Sequence, residues 1–240
     1  MTASGIIGTV TEAAEQRRPG RPRLRPAASD GLSAREEILD AAAALFVSQG
    51  LAATTTRQIA ERVGIRQASL YYYFGGKDEM LLELLTQSVR PSLSVAEFLE
   101  SVSVSVPSAG LYALAVSDVR TLAKAPHNIG ILYLSPEVRG EAFASFRAER
   151  ALLQDAYGRL GVAAGCPLDQ PLAAVLLMQL VESVIQLRRI DSLRDGYAHS
   201  IAEACLRLAG LADPDVARAR DAAENFRKSF ESLADLADVH

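Results

Sequence analysis

Tryptophan is absent from this chain, cysteine occurs twice, methionine and histidine three times each, and aromatic residues make up only 6% of the sequence. Cys166 and Cys205 stand at no metal-ligand or redox spacing, which excludes a disulfide framework, a zinc module and a dithiol redox centre. Both read as packed thiols in a reducing compartment. His127, His199 and His240 have no carboxylate or cysteine at ligating intervals, and neither a nucleophile elbow nor a phosphate loop occurs. The expectation is therefore a chain without enzymatic activity, metal or cofactor. No run approaches the roughly 20 apolar residues of a bilayer helix, and Met1 to Val10 lacks the basic and apolar regions of a signal peptide. A cytoplasmic protein with no membrane partner is expected. Strand-like alternation occurs only at Ser101 to Val106, with no second run to pair with it, so that stretch reads as an irregular connection and the fold as all-α.

What the chain does have is apolar content, 49% of its 240 residues, enough for one or two cores. The net charge of −4 is unevenly spread: residues 17 to 90 carry a net +3 and residues 91 to 240 a net −5. A locally positive front on an acidic body suits a module that lays one face on a phosphate backbone.

Residues 1–31 offer little to bury. Arg17, Arg18, Arg21, Arg23 and Arg25 interleave with Pro19, Gly20, Pro22 and Pro26, and the segment reads as a disordered basic N-terminal arm. The stretch Arg18 to Arg23 resembles an AT-hook, although Pro19 separates Arg18 from Gly20 where that motif has none. Two readings of Arg21 and Arg23 stay open, a solvated basic tail adding nonspecific affinity and insertion into an A/T-rich minor groove.

Order is expected from Ser33, which stands in capping-box spacing with Glu36 and opens a helix that Gly50 closes. A second capping box, Thr55 with Gln58, opens a helix with Ile59, Ala60 and Val63 on one face, and Gly64 ends it. The next helix spans about two turns, Gln67 to Phe74, with Leu70 and Phe74 inward and Arg66, Gln67, Ser69, Tyr71 and Tyr72 outward. Two short helices around a glycine turn present a recognition helix to DNA in this way. Gln67 and Ser69 suit base edges, Ala68 a thymine methyl, and the Tyr71 and Tyr72 hydroxyls phosphates. Lys77, at the start of the following helix, opposes the macrodipole, an arrangement that a phosphate would turn to attraction.

The ordered set Ile59-Ala60, Val63-Gly64-Ile65, Leu70-Tyr71, Tyr73-Phe74 and Lys77-Asp78, preceded by threonines, resembles the DNA-binding domain of the TetR family of bacterial transcriptional regulators over about residues 33 to 90. The resemblance implies groove contacts by Arg66, Gln67, Ala68 and Ser69, base or backbone contacts by Tyr71 and Tyr72, and phosphate contacts by Thr56, Arg57 and Lys77. It also implies two units after the arm: a three-helix helix-turn-helix domain over 32–76 and a larger helical ligand-binding and dimerisation domain over 77–240. Tyr73 stands where many members carry histidine and reads as packing. The implied protein is a repressor that binds a palindromic double-stranded operator as a homodimer and is released by a small-molecule effector. A TetR-like protein that organises DNA without a ligand, and a helical interaction module, remain as alternatives.

In the larger part, Arg90-Pro91 predicts a kink or early end of the fourth helix. Helices are expected over Leu111 to Ala123, briefly over Asn128 to Leu134, from the Ser135-Pro136 cap to about Val162, over Pro171 to Leu187, over Leu193 to Ala209, and from Asp213-Pro214 onward. Leu172 to Leu187 is apolar nearly all round, as a segment buried between neighbours is. The last helix carries a seam of three- and four-residue steps from Val216 to Ala237, suited to a partner copy or to its own chain. Gln179, Glu182 and Gln186 form one polar line, either orienting a ligand or belonging to a dimer interface or structural network. If they orient a ligand, the effector carries a cationic or hydrogen-bond-donating group on an apolar frame, with Tyr112, Tyr133, Phe146 and Met178 as candidate wall. His127, after Pro126, reads as a pocket mouth or as surface.

Overall fold

The computed structural model describes residues 32–101 and 106–224. It is helical throughout, with no strand among the described residues: α1 (Ala34–Gln49), α2 (Thr56–Val63), α3 (Gln67–Tyr73), α4 (Lys77–Ser101), α5 (Pro107–Lys124), α6 (Ala144–Ala163), α7 (Gln170–Arg189), α8 (Tyr197–Leu208) and a last helix, α9, from 213. The basic arm and the C-terminal part of the seam lie outside the described residues, as do 102–105 of the alternating stretch.

Both front capping boxes form. Glu36 N–H donates to Ser33 Oγ (3.3 Å) while Ser33 N–H donates to Glu36 Oε2 (2.7 Å), and Thr55 and Gln58 repeat the exchange at 3.2 and 2.8 Å. Gly64 sits at φ +79°, ψ 28°, the left-handed conformation that glycine adopts without a Cβ clash, and so turns the chain from α2 into α3. Ile38, Phe46, Ile59, Leu70 and Phe74 share a core beneath these three helices.

α4 does not end or break at Pro91 but runs on for 25 residues, a length of about 37 Å. Proline strands the carbonyl of Gln87, yet both Pro91 and Gln87 face solvent, where water can meet that group. Burial of Ser88, Val89, Ser92, Ala96 and Leu99 holds the helix down on either side of the gap.

The Ser135-Pro136 helix start is likewise corrected. Residues Glu137–Arg139 and Glu141–Phe143 form two 3-10 turns, and α6 begins only at Ala144. The backbone leaves helical geometry at Gly140 (φ −63°, ψ 161°), and the Arg147 guanidinium braces that break by donating to the carbonyls of Val138 (2.8 Å) and Gly140 (2.6 Å). The expected Leu193 helix starts later, at Tyr197, after Gly196 at φ +80°.

α7 also departs from the expectation that no run is long and apolar enough to cross a membrane, since by length and composition it is. Its packing accounts for that character differently. Ala173, Ala174, Leu177, Val181 and Val184 are buried against the rest of the fold, and Glu182 is held in an ion pair. α6 and α7 approach closely through two glycines. A Cβ at Gly158 would stand 2.9 Å from Ala174 Cβ and 2.9 Å from the Gln170 carbonyl oxygen, and one at Gly161 only 2.5 Å from Leu177 Cδ1. α7 is not buried all round: Leu172, Val175 and Leu176, spaced along one face, are 46%, 43% and 37% exposed. Cys205 is fully buried, which pushes its thiol up to about 12, and Cys166 is buried as well.

Candidate nucleic-acid interface and regulatory cavities

Leu70 and Phe74 anchor α3 to the core, and its opposite side consists of the exposed residues Gln67, Ala68, Ser69, Tyr71 and Tyr72, with Arg66 exposed just ahead of it. Tyr72 projects furthest, at 85% exposure, and its ring meets Tyr73 edge-on at 5.3 Å. Tyr73 is half-buried against the core, in its expected packing position. On the free surface Gln67 Nε2 donates to Thr56 Oγ1 (2.8 Å), and that hydroxyl also meets Tyr71 OH at 3.1 Å. Three of the candidate residues thus form one small network across α2 and α3, unseen in the sequence because 11 and 15 residues separate the partners. Arg57 is exposed and paired with Glu61 one turn on, at 2.8 Å. Arg21 and Arg23 lie outside the described residues.

Lys77 departs most from expectation. Its ammonium donates to the carbonyls of Leu51 (2.7 Å) and Thr54 (3.2 Å), bracing the α1–α2 loop from the start of α4. Two of its three donors are therefore committed inside the protein.

Two further ties run from α1 to the larger part. Arg35 pairs with Glu83 of α4 and lies 4.6 Å over the Phe74 ring. His127 Nε2 donates to Asp40 Oδ1 at 2.8 Å, so this residue is neither a cavity mouth nor plain surface.

The candidate effector residues divide. Glu182 is bound on both oxygens by Arg150 of α6 (2.6 and 2.8 Å to Nη2) and accepts from Gln179 Nε2 at 3.0 Å. The pair is nearly buried, with side-chain exposures of 18% for Arg150 and 11% for Glu182. Two members of the polar line, Gln179 and Glu182, thus meet each other and Arg150, and the Glu182 charge is paired within the protein. Arg150 also lies 5.7 Å over the Tyr133 ring, which in turn packs on Phe146 at 5.4 Å. Tyr133 and Phe146 line a cavity of about 250 Å³ with Arg139, Arg147 and Gln154. Met178 is core, Gln186 is exposed, and Tyr112 lies in a different cavity.

Between these sits a buried polar group that the periodicity did not single out. Asp118 of α5 accepts from Ser92 Oγ (2.7 Å) and Tyr157 OH (3.0 Å). Burial pushes its carboxyl up to about 6, against the pull of those two donors. Tyr133 is raised by burial too, and shares a hydrogen bond of 2.7 Å with Ser88 of α4.

A capped helix, a glycine turn and a short second helix with its polar side outward define a helix-turn-helix protein with a helical body. The family model of bacterial regulatory proteins, tetR family, matches residues 38–84. The HTH-type transcriptional repressor KstR2 of Mycobacterium tuberculosis is 53% identical over 53 residues, 22% of this chain. That match spans about a quarter (26%) of the relative's own length. Likeness over nearly the whole fold comes from Mycobacterium smegmatis AmtR, whose crystal structure matches with a TM-score of 0.74 and 39% identity over 85% of this chain and 98% of that one. AibR, solved in complex with isovaleryl coenzyme A and operator DNA, shares the fold at a TM-score of 0.58 and 19% identity over 72% of this chain and 95% of that one. The chain belongs to the TetR family of bacterial regulatory proteins.

Proposed function

We propose that the chain is a transcriptional repressor that binds a palindromic operator as a homodimer and is released by a small-molecule effector. Residues 32–76 are the DNA-binding unit in this reading and 77–240 the regulatory and dimerisation unit. The carrying observation is the two-sidedness of α3, whose inner residues Leu70 and Phe74 are buried while every polar group from Arg66 to Tyr72 is exposed. Arg66, Gln67, Ala68 and Ser69 then meet base edges, Tyr71 and Tyr72 bases or phosphates, and Thr56 and Arg57 phosphates. Lys77 acts mainly by holding the loop before α2, and the arm with Arg21 and Arg23 adds charge or enters the adjacent minor groove.

Dimerisation follows from the geometry of the ligand: two recognition helices reading successive major grooves must stand about 34 Å apart. The apolar stripe Leu172, Val175 and Leu176 on α7 supplies a self-complementary face for such a pair. KstR2 is named as a repressor, and AibR was solved with both a small molecule and operator DNA, which agrees with this assignment.

Selection of duplexes from a random library, followed by anisotropy titrations over a range of salt, tests it. The expected site is palindromic, bound by two subunits, with affinity falling about a thousandfold between 50 and 200 mM salt if some six phosphates are contacted. A monomer with no sequence preference at low salt would refute the proposal.

A further inference from the structure

A cavity of about 360 Å³ opens between α4, α5, α8 and α9, within the roughly 300–1,000 Å³ typical of small-molecule sites. One stripe of α5 runs along it at steps of four: Tyr112, Val116, Arg120 and Lys124. Phe98 and Leu99 of α4 add apolar wall.

The hydrogen bonds at its polar end fix their own directions. Arg120 Nη2 stands 3.1 Å from His199 Nε2, and a guanidinium only donates, so Nε2 accepts. The ring proton of this neutral imidazole is then on Nδ1, which donates to the Tyr112 oxygen at 2.7 Å. Tyr112 thereby keeps its own O–H hydrogen for the cavity it lines. Burial also raises its phenol above the ordinary range, so that proton stays on. Among the described residues the only hydrogen bond of the half-buried Arg120 goes to an uncharged ring, leaving its positive charge without a bonded carboxylate. Lys124 stands one turn further on, and among the described lining residues these two cations stand with one carboxylate, Glu224.

We infer that this cavity binds a small amphipathic anion, its carboxylate-like head on Arg120, Tyr112 and Lys124 and its apolar chain against Val116, Phe98 and Leu99. The inference deepens the effector reading and rests on it for its biological sense. The cavity beside Tyr133 fits such a ligand less well. Its Arg147 is spent on backbone carbonyls, its Arg150 on Glu182, and its Arg139 is exposed to solvent.

The test is calorimetric titration of the full chain, without DNA, with straight-chain carboxylates from butanoate to decanoate and with the amide and amine of the best-binding length. The carboxylate is expected to bind at least about tenfold more tightly than its amide or amine. Arg120→Met should weaken it about tenfold or more, and Tyr112→Phe, which keeps the ring and its packing, about three- to tenfold. Circular dichroism melting accompanies each variant, and if Arg120→Met does not fold, Tyr112→Phe and Lys124→Met decide. Absence of binding across the series, equal binding of acid, amide and amine, or indifference to the folded variants overturns the inference. Operator affinity is measured separately with the same carboxylate. Binding that leaves operator affinity unchanged upholds the site and overturns its role as the effector site, whereas failure of every carboxylate to bind, beside an operator that another compound releases, overturns the site and leaves the effector reading standing.

Discussion

Replacing Lys77 by methionine separates a brace from a phosphate contact. The change keeps an unbranched apolar stem and removes the ammonium that holds the Leu51 and Thr54 carbonyls. Thr54 is fully buried, so its stranded carbonyl has poor access to water, while the Leu51 carbonyl loses its ammonium but keeps the Thr54 N–H at 3.2 Å. Hydrogen bonds to charged groups contribute about 1.5–3 kcal/mol, and Lys77 is itself half-exposed. Discounting the pair for that solvent screening leaves a loss of about 2–3 kcal/mol. For a chain of this size that is a melting temperature lower by roughly 4–12 °C. The salt dependence of operator binding, measured well below the transition, should keep its slope, because no phosphate contact is lost. A phosphate contact would instead lower the slope by about 0.9. An unchanged melting temperature together with that drop would refute the brace and restore Lys77 to the backbone contacts.

Gln67→Ala should alter which operator positions are discriminated, at about 1–3 kcal/mol for a lost bidentate contact, as read by affinities across a panel of single-base variants. Its free-state bond to Thr56 must be released on binding, so a uniform change over all sequences would mean that Gln67 serves only that network. Asp118 has a carboxyl raised to about 6, above its unfolded value, so the folded state holds the extra proton. The stability that Asp118 contributes should therefore be full below about pH 4 and be lost as pH rises through about 6, and Asp118→Asn should remove that part of the slope in urea titrations at stepped pH. Leu176→Glu places a charge in the exposed α7 stripe and should yield a folded monomer by sedimentation, with operator affinity reduced in proportion; a persistent dimer would move the interface elsewhere.

Where signals are local, the sequence was legible. Ser33 with Glu36, Thr55 with Gln58, and Gly64 each specify a helix end within four residues, and all three form as expected. The two-sided pattern of Leu70 and Phe74 against Gln67, Ser69 and Tyr71 likewise needs only helical period. The failures share a different origin, a partner distant in the chain. Ser135-Pro136 does carry a helix-start signal, but the chain breaks at Gly140, where Arg147 braces the Val138 and Gly140 carbonyls. Pro91 is a breaker only where its stranded carbonyl lacks water, and exposure is a tertiary property. Glu182 shows as a polar residue on an apolar face, yet whether it awaits a ligand depends on Arg150, 32 residues away. The Arg120, His199 and Tyr112 cluster spans up to 87 residues and has no local signature.

Gly158 and Gly161 carry a consequence for how this sequence can drift. Alanine at either position would gain about 1 kcal/mol in intrinsic helix preference, so a survey that scores substitutions by helix propensity would welcome both. The α6–α7 seam forbids it unequally. At 161 the obstacle is the tip of a leucine side chain, which a compensating Leu177→Val or Leu177→Ala can withdraw, whereas at 158 it includes the Gln170 backbone oxygen, which no substitution removes. Saturation mutagenesis scored by folded abundance should show Gly158 as intolerant in every background and Gly161 as tolerant only in backgrounds that change residue 177, a constraint on descent set by the α6–α7 seam alone.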